Sequence, residues 1–412
     1  MTWRRCSGPT VATAAAMADG AARRRLAQVA VGAGLAAGTS AVAGGLGSLA
    51  GAAYFARKVL TPDRRRPDDV EVRDVQGAAV VLSATEETVV PGRYGLWLDG
   101  GAGHARVGEI LDTDPVGEVV TRELLGVDAG VLAAGPARWN AYFWGAPPDL
   151  ALGLETRHIA VRAELGHLPA WVVPAHDRGV GDLWAVLVHG RGARREETLR
   201  AIRPLRAAGW TSLVPNYRND PGVVAGPDGR YNLGLSEWRD VEAAVRYAVR
   251  HGARKVMIAG WSMGGAITLQ FLDRSPMARM VRGVVLDGPV IDWGDVLTHH
   301  GRLNHVPGPV LGLSRAMMGR TWGKRLVGVH DVLDVARTDW VSRAEELRHR
   351  VLLIHSADDE FVPVGPSRAL AHRRPDLVDY EEFTVARHCK EWNVDPDRWE
   401  RVVTEFATEV SA

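Results

Sequence analysis

The chain has 412 residues, 46% hydrophobic and 24% charged, enough apolar material for one large core and a smaller folded unit besides. A formal net charge of +1 gives no global attraction to nucleic acid, but the charge is unevenly placed. Residues 1–66 carry ten Arg or Lys against Asp19 and Asp63, and the remainder is mildly acidic. A basic leader on such a body points to membrane or export business at the N-terminus. The two cysteines, Cys6 and Cys389, make no disulfide framework and no zinc spacing, and no metal or organic cofactor is implied.

Residues 1–25 are the basic leader. Leu26–Ala56 contains no charged residue and is bounded by Arg23–Arg25 on one side and by Arg57 and Lys58 on the other. Its 31 residues exceed the ~20 needed to cross a bilayer core, so it reads as a single-pass membrane anchor. Gly34/Gly38 and Gly47/Gly51 have the spacing that lets membrane helices pack closely. Two other readings stand. Ala41-Val42-Ala43 before Gly44 fits a signal-peptide cleavage site, which would give a secreted protein, and the composition also suits a disordered Ala/Gly tail. Residues 57–69, with Pro62, Pro67 and the Arg64–Arg66 run, read as a linker.

Over residues 70–150 the pattern becomes short β-type runs separated by Gly, Pro and Asp, such as Ala79–Leu82, Tyr94–Leu98, Arg106–Leu111 and Gly117–Thr121. This predicts a small β-rich module, in which no catalytic motif is visible. Over residues 151–412 strands and helices alternate. Strands are expected at Ile159–Ala163, Ala170–Val173, Ala185–Val188, Thr211–Pro215, Val256–Ile258, Val281–Leu286, Val351–Ile354 and Tyr380–Thr384. Helices are expected at Glu196–Ala208, Ser236–His251 and Ala266–Asp273. Such alternation predicts the α/β class: a doubly wound, mostly parallel sheet of about eight strands, beginning with an antiparallel pair. Residues 291–348 interrupt it with an apolar, Met-containing insertion that reads equally as a lid over a site or as peripheral packing.

The strongest chemical signal is Gly260-Trp261-Ser262-Met263-Gly264 between a buried strand and a helix. In that context G-x-S-x-G makes a sharp turn, where Gly260 and Gly264 let strand and helix approach and Ser262 stands at a helix N-terminus. Upstream, the strand Ala185–Val188 runs into His189-Gly190-Arg191-Gly192, a Gly turn placed to supply an oxyanion donor. On that reading the backbone N–H groups of Met263 and Arg191 are the donors. Downstream, Asp358 and Asp359 follow the strand Val351–Ile354, and His388 follows the last strand. The order Ser262, acid, His388 is the one expected for this fold, with Ser262 as nucleophile, His388 as general base and the acid holding its tautomer.

The segments HGRG at 189–192, GWSMGG at 260–265, HSADDEFVP at 355–363 and His388 resemble an α/β hydrolase, nearest the serine aminopeptidase/monoacylglycerol lipase-like and Bem46-like branches, over about residues 155–410. The resemblance implies that the acid is Asp359, which precedes Val362 and Pro363 by three and four positions. Two departures from the pattern are Ser356, where relatives often have Gly, and Tyr217-Arg218-Asn219-Asp220 in place of a D-x-R-G-x-G-x-S turn. Asp287, after the strand Val281–Leu286, is an alternative acid. Glu237 and Asp240 read as helix-capping carboxylates, and His299, His300 and His305 as residues of a solvated loop.

The expectation is therefore a membrane-associated esterase or lipase-like enzyme working through an acyl-enzyme on a small-molecule or lipid-like ester. A serine peptidase with the same residues, and an inactive membrane-tethered binding protein, are the alternatives. No nucleic-acid partner is expected.

Overall fold

The structure is a computed structural model that describes residues 48–62, 66–176 and 181–412. Most of the segment expected as an anchor, residues 26–47, and Cys6 lie outside the described residues. The described end of that segment is a helix, α1 (residues 48–60), that continues through the start of the expected linker. Ala52, Phe55, Ala56 and Leu60 of α1 are buried in the core of the large domain. Protein, not lipid, covers that face. Among the described residues no helix is long and apolar enough to cross a membrane.

Six strands follow: β1 (Val70–Gln76), β2 (Ala79–Ser83), β3 (Tyr94–Leu98), β4 (Gly103–Asp114), β5 (Val119–Ala129) and β6 (Gly135–Asn140). They close into an antiparallel barrel in the order β1-β2-β5-β4-β3-β6. Alternation along β1 and β2 sends Val70, Val72, Val80 and Leu82 inward, where they meet Tyr94, Leu96 and Trp139. Closure removes the exposed edges that so small a sheet would otherwise present.

After α2 (Pro148–Leu152), the strands β7 (Arg157–Ala163) and β8 (Gly166–Val173) form a hairpin. Then come β9 (Leu183–Val188), α3 (Ile202–Ala207), β10 (Thr211–Pro215), α4 (Trp238–Arg250), β11 (Lys255–Trp261), α5 (Met263–Arg274) and β12 (Val281–Asp287). Three helices, α6 (Trp293–Leu303), α7 (Gly308–Met318) and α8 (Thr321–Val327), occupy the expected insertion. The chain ends with β13 (Arg350–Ser356), α9 (Gly365–Arg373), β14 (Val378–Phe383), α10 (Glu391–Val394) and α11 (Pro396–Ser411). The sheet order is β14-β13-β12-β11-β9-β10-β8-β7, parallel from β10 through β14 and antiparallel at β7 and β8. This is the order of an α/β-hydrolase fold, and each of the eight expected strands is present.

Both faces of the sheet are covered. Residues of α1 and α4 through α8 build the core on one side, and α3 and α11 build it on the other. Parallel strands buried on both faces need apolar residues at every position, which is why β9 (Leu-Trp-Ala-Val-Leu-Val) shows no alternation.

Candidate functional site

Ser262 sits between the last residue of β11 and the first of α5, with φ 50° and ψ −117°, a conformation a non-glycine residue rarely adopts. Three main-chain hydrogen bonds hold it there. Its N–H donates to the Asp287 carbonyl at 3.0 Å, and its own carbonyl accepts from Gly265 at 3.0 Å and Val290 at 3.1 Å. The flanking glycines are sterically required. A Cβ at Gly260 would stand 2.6 Å from the Gly264 carbonyl oxygen, and one at Gly264 would stand 2.1 Å from that of Val188.

His388 Nε2 lies 2.9 Å from Ser262 Oγ, and His388 Nδ1 lies 2.7 Å from Asp359 Oδ2. Asp359 Oδ1 accepts the N–H groups of Phe361 and Val362, both at 2.8 Å. The neighbouring Asp358 instead accepts the Val385 N–H. Burial alone would raise the Asp359 carboxyl; the charge of His388 and hydrogen bonds from His355 and His388 outweigh it and hold the group well below the usual carboxylate range. Burial likewise opposes charging of His388, but Asp359 prevails and leaves that imidazole above its ordinary value.

His355, which sequence reasoning passed over, supports the acid from beneath. Its Nε2 is 3.1 Å from both Asp359 Oδ2 and the Val362 carbonyl oxygen, and its Nδ1 is 2.7 Å from Ser367 Oγ. Two acceptors at Nε2 place the proton there, so Nδ1 accepts from the Ser367 hydroxyl. The signal available in sequence was a histidine inside an otherwise apolar strand, four positions before the aspartate.

Met263 is the first residue of α5, so its N–H has no acceptor within the helix. The loop after β9 lies against the same turn: a Cβ on Gly190 would stand 3.2 Å from Ser262 Cβ. The Gly190 N–H donates to Glu197 Oε2, and the next residue, Arg191, lines a cavity together with Ser262. His189 is fully buried, stacked on Tyr217 and 2.9 Å from Asp220 Oδ2. Asp220 also accepts from Asn216 and from the Tyr217 N–H, so the departing Tyr217–Asp220 turn anchors the HGRG loop.

A cavity of about 170 Å³ opens beside Ser262. Its apolar wall is Phe55 and Val59 of α1, Val290, Phe361, and Trp293, Val296 and Leu297 of α6; Lys58, His300 and Asn304 stand at its polar edge. The insertion's first helix, α6, and α1 thus both line the cavity beside Ser262.

The remaining sequence candidates fall elsewhere. Asp287 Oδ2 accepts the indole N–H groups of Trp261 and Trp399, each at 3.0 Å, so it is not the acid that faces His388. Glu237 precedes α4 but its carboxylate does not cap that helix: it accepts the N–H groups of Asn232 and Gly234 in the turn before it. Asp240 does not cap: it makes a buried two-pronged ion pair with Arg218. His299 and His300 belong to α6, not to a solvated loop, and hydrogen-bond the carbonyls of Glu360 and Phe361. No group of His, Cys, Asp and Glu among the described residues is arranged to hold a metal ion.

Behind the site lies a second buried carboxyl group. Glu391 Oε1 accepts the Ser356 N–H at 2.9 Å, and its side chain meets that of Asp287. Burial and the Asp287 carboxylate push the Glu391 acid well above the usual range. A proton on Glu391 supplies the donor that Asp287 Oδ1 and Glu391 Oε2 otherwise lack.

Comparison with known proteins adds two family matches. Residues 185–404, more than half the chain, match the model of the alpha/beta hydrolase family, and residues 71–140 match a domain of unknown function, DUF8805. Among solved structures the chain is similar to an esterase of Pyrococcus furiosus (18% identity, TM-score 0.49, covering 65% of this chain and 94% of that one). It is similar also to Est1E from Butyrivibrio proteoclasticus (15%, 0.48, 62% and 98%). A third is a puromycin-hydrolyzing peptidase of Mycobacterium tuberculosis (17%, 0.47, 82% and 46%). No curated protein sequence matches.

Proposed function

Because the chain belongs to the alpha/beta hydrolase family, we propose that it is a serine hydrolase of carboxylic esters, with Ser262 as nucleophile, His388 as general base and Asp359 as the acid that orients it. The observation that carries this reading is the unbroken row Ser262 Oγ, His388 and Asp359, at 2.9 and 2.7 Å, opening on an apolar cavity.

His388 takes the Ser262 proton as Oγ attacks the ester carbonyl, and the imidazolium formed is stabilised by Asp359. The N–H groups of Met263 and Arg191 receive the oxyanion, each contributing about 3 kcal/mol to the transition state. His388 then protonates the departing alkoxide, and water, activated by the same imidazole, releases the acid from Ser262. The leaving group must pass His388, which does not line the cavity, whereas Ser262 and Arg191 do. The cavity therefore holds the acyl part, and its lining favours a hydrocarbon chain.

The test is labelling with a fluorophosphonate probe, followed by turnover of matched ester and anilide substrates. Labelling of the intact protein, lost in S262A and H388A, with esters turned over faster than anilides, is the expected result. A folded protein that is not labelled removes the hydrolase reading, and faster anilide cleavage makes it a peptidase.

We further propose membrane attachment through residues 26–47, which are uncharged and long enough, at 22 residues, to span a bilayer. Fractionation of cells carrying the full chain or one lacking residues 1–47 tests it: both proteins in the soluble fraction would exclude attachment.

A further inference from the structure

The barrel of β1–β6 contributes no side chain to the row Ser262, His388 and Asp359, yet it meets the domain at the segment that carries the histidine. Residues 385–394 leave β14, present His388 and enter α10. Two non-glycine residues of this segment have left-handed backbone, Val385 at φ 68° and Cys389 at φ 52°. The first is β-branched, for which that conformation is especially unfavourable. Such a segment persists only where its surroundings hold it.

The barrel loop between β2 and β3 provides much of that hold. Arg387 lies 3.3 Å from Glu86 and 3.4 Å from Glu87, and Lys390 pairs with Glu87. The Arg93 N–H donates to the Asn393 carbonyl at 2.9 Å, and Asn393 Nδ2 donates to the carbonyls of Arg93 and Ala141. Contact there is so close that a Cβ on Gly92 would stand 2.1 Å from the Asn393 carbonyl oxygen. The contacts at positions 387, 390 and 393 bracket His388 and Cys389. From the opposite side Glu360 pairs with Arg387, Asp358 takes the Val385 N–H, and Arg200 binds the Cys389 carbonyl.

We propose that the barrel is a positioning module: its β2–β3 loop clamps residues 387–393 and so fixes the His388 imidazole against Ser262. The role of His388 rests on the serine-hydrolase reading above; the clamp itself does not.

The test is a charge exchange across the seam, E87K, K390E and the double variant E87K/K390E, with E87Q as the milder change. Two readouts are needed: hydrogen exchange of residues 385–394, and kcat with KM on an activated ester. The single reversals are expected to raise exchange in that segment and lower kcat about three- to tenfold with KM little changed, and the double variant to recover both. E87Q should fall between. Folded single variants with wild-type exchange and kcat, or a double variant no better than either, would overturn the proposal. If the protein hydrolyses no ester at all, the exchange readout still decides whether the clamp exists.

Discussion

The guanidinium Nε of Arg191 donates to the main-chain carbonyl of Val59 at 3.1 Å, and one of its terminal nitrogens donates to that of Thr61 at 2.8 Å. Arg191, which lines the cavity beside Ser262, thus fastens α1 there with its side chain. That helix also receives Ser314 of α7 on its Ala52 carbonyl and sends Arg57 to the Leu326 carbonyl of α8. If the cavity holds the acyl group as proposed, Phe55 and Val59 of α1 set how long a chain fits. V59F should leave kcat/KM for an acetyl ester within about twofold and lower it at least tenfold for an octanoyl ester, since each methylene excluded from an apolar pocket matters by about 1–3 kcal/mol. A p-nitrophenyl ester series measures this. An unchanged chain-length profile would place the acyl group elsewhere.

Activity should depend on pH through His388. Only the neutral imidazole accepts the Ser262 proton, and Asp359 holds the imidazolium above the ordinary histidine value. The acid limb of kcat/KM should therefore lie above pH 6.5, with activity rising as pH rises through it. D359N removes the charge and offers an amide where a carboxylate fixed the tautomer. It should shift the limb to lower pH and reduce kcat about 10⁴-fold. Full pH profiles of the two proteins check both statements.

The residues that were legible in sequence are those whose chemistry is local. Gly260 and Gly264 stand where they do because any Cβ would strike a carbonyl, so the nucleophile turn writes itself into five consecutive positions. The buried parallel strands showed as apolar runs because both faces of the sheet are covered. The fate of α1 was not legible: the uncharged, Ala-rich stretch Ser48–Ala56 looks alike whether lipid or protein covers it, and here Ala52, Phe55 and Ala56 are covered by the core of the large domain. Closure of the barrel was hidden because hydrophobic alternation marks strands and not their pairing. His355 was missed because its apolar strand reads as plain core although Asp359 lies four positions on, and Glu391 because its partners, Ser356 and Asp287, are distant in the chain and no spacing rule predicts them.

The Glu391–Asp287 pair makes stability depend on pH in a direction opposite to that of Asp359. With its folded pKa raised, Glu391 keeps its proton in the native state while the unfolded chain loses it near the ordinary 4.5. Its contribution is complete below that value and declines as pH rises toward the folded pKa. E391Q presents an amide N–H to Asp287 and an oxygen to the Ser356 N–H without any titration. Relative to wild type, it should gain stability steadily as pH rises above 4.5. Urea unfolding at several pH values reads the difference. Parallel curves for the two proteins would mean that Glu391 is ionised in the native state.

Arg122 is the most exacting residue of the barrel. It is fully buried, its guanidinium lies against the rings of Tyr94 and Trp139, and it donates to the carbonyls of Thr88, Val90, Gly92 and Gly108. Three of those carbonyls belong to the loop that meets the His388 segment. Lysine has the charge but not the planar fork, so R122K leaves several of these acceptors without a donor. R122M leaves all four. Each unsatisfied buried carbonyl costs about 1–3 kcal/mol, so with four of them R122M should destabilise the barrel by at least about 4 kcal/mol and R122K by less. In denaturant the loss should appear as an earlier transition seen by hydrogen exchange in β1–β6, while the core around β11 and β12 unfolds at its wild-type midpoint. A single shifted transition for the whole chain would show instead that barrel and hydrolase domain unfold as one unit.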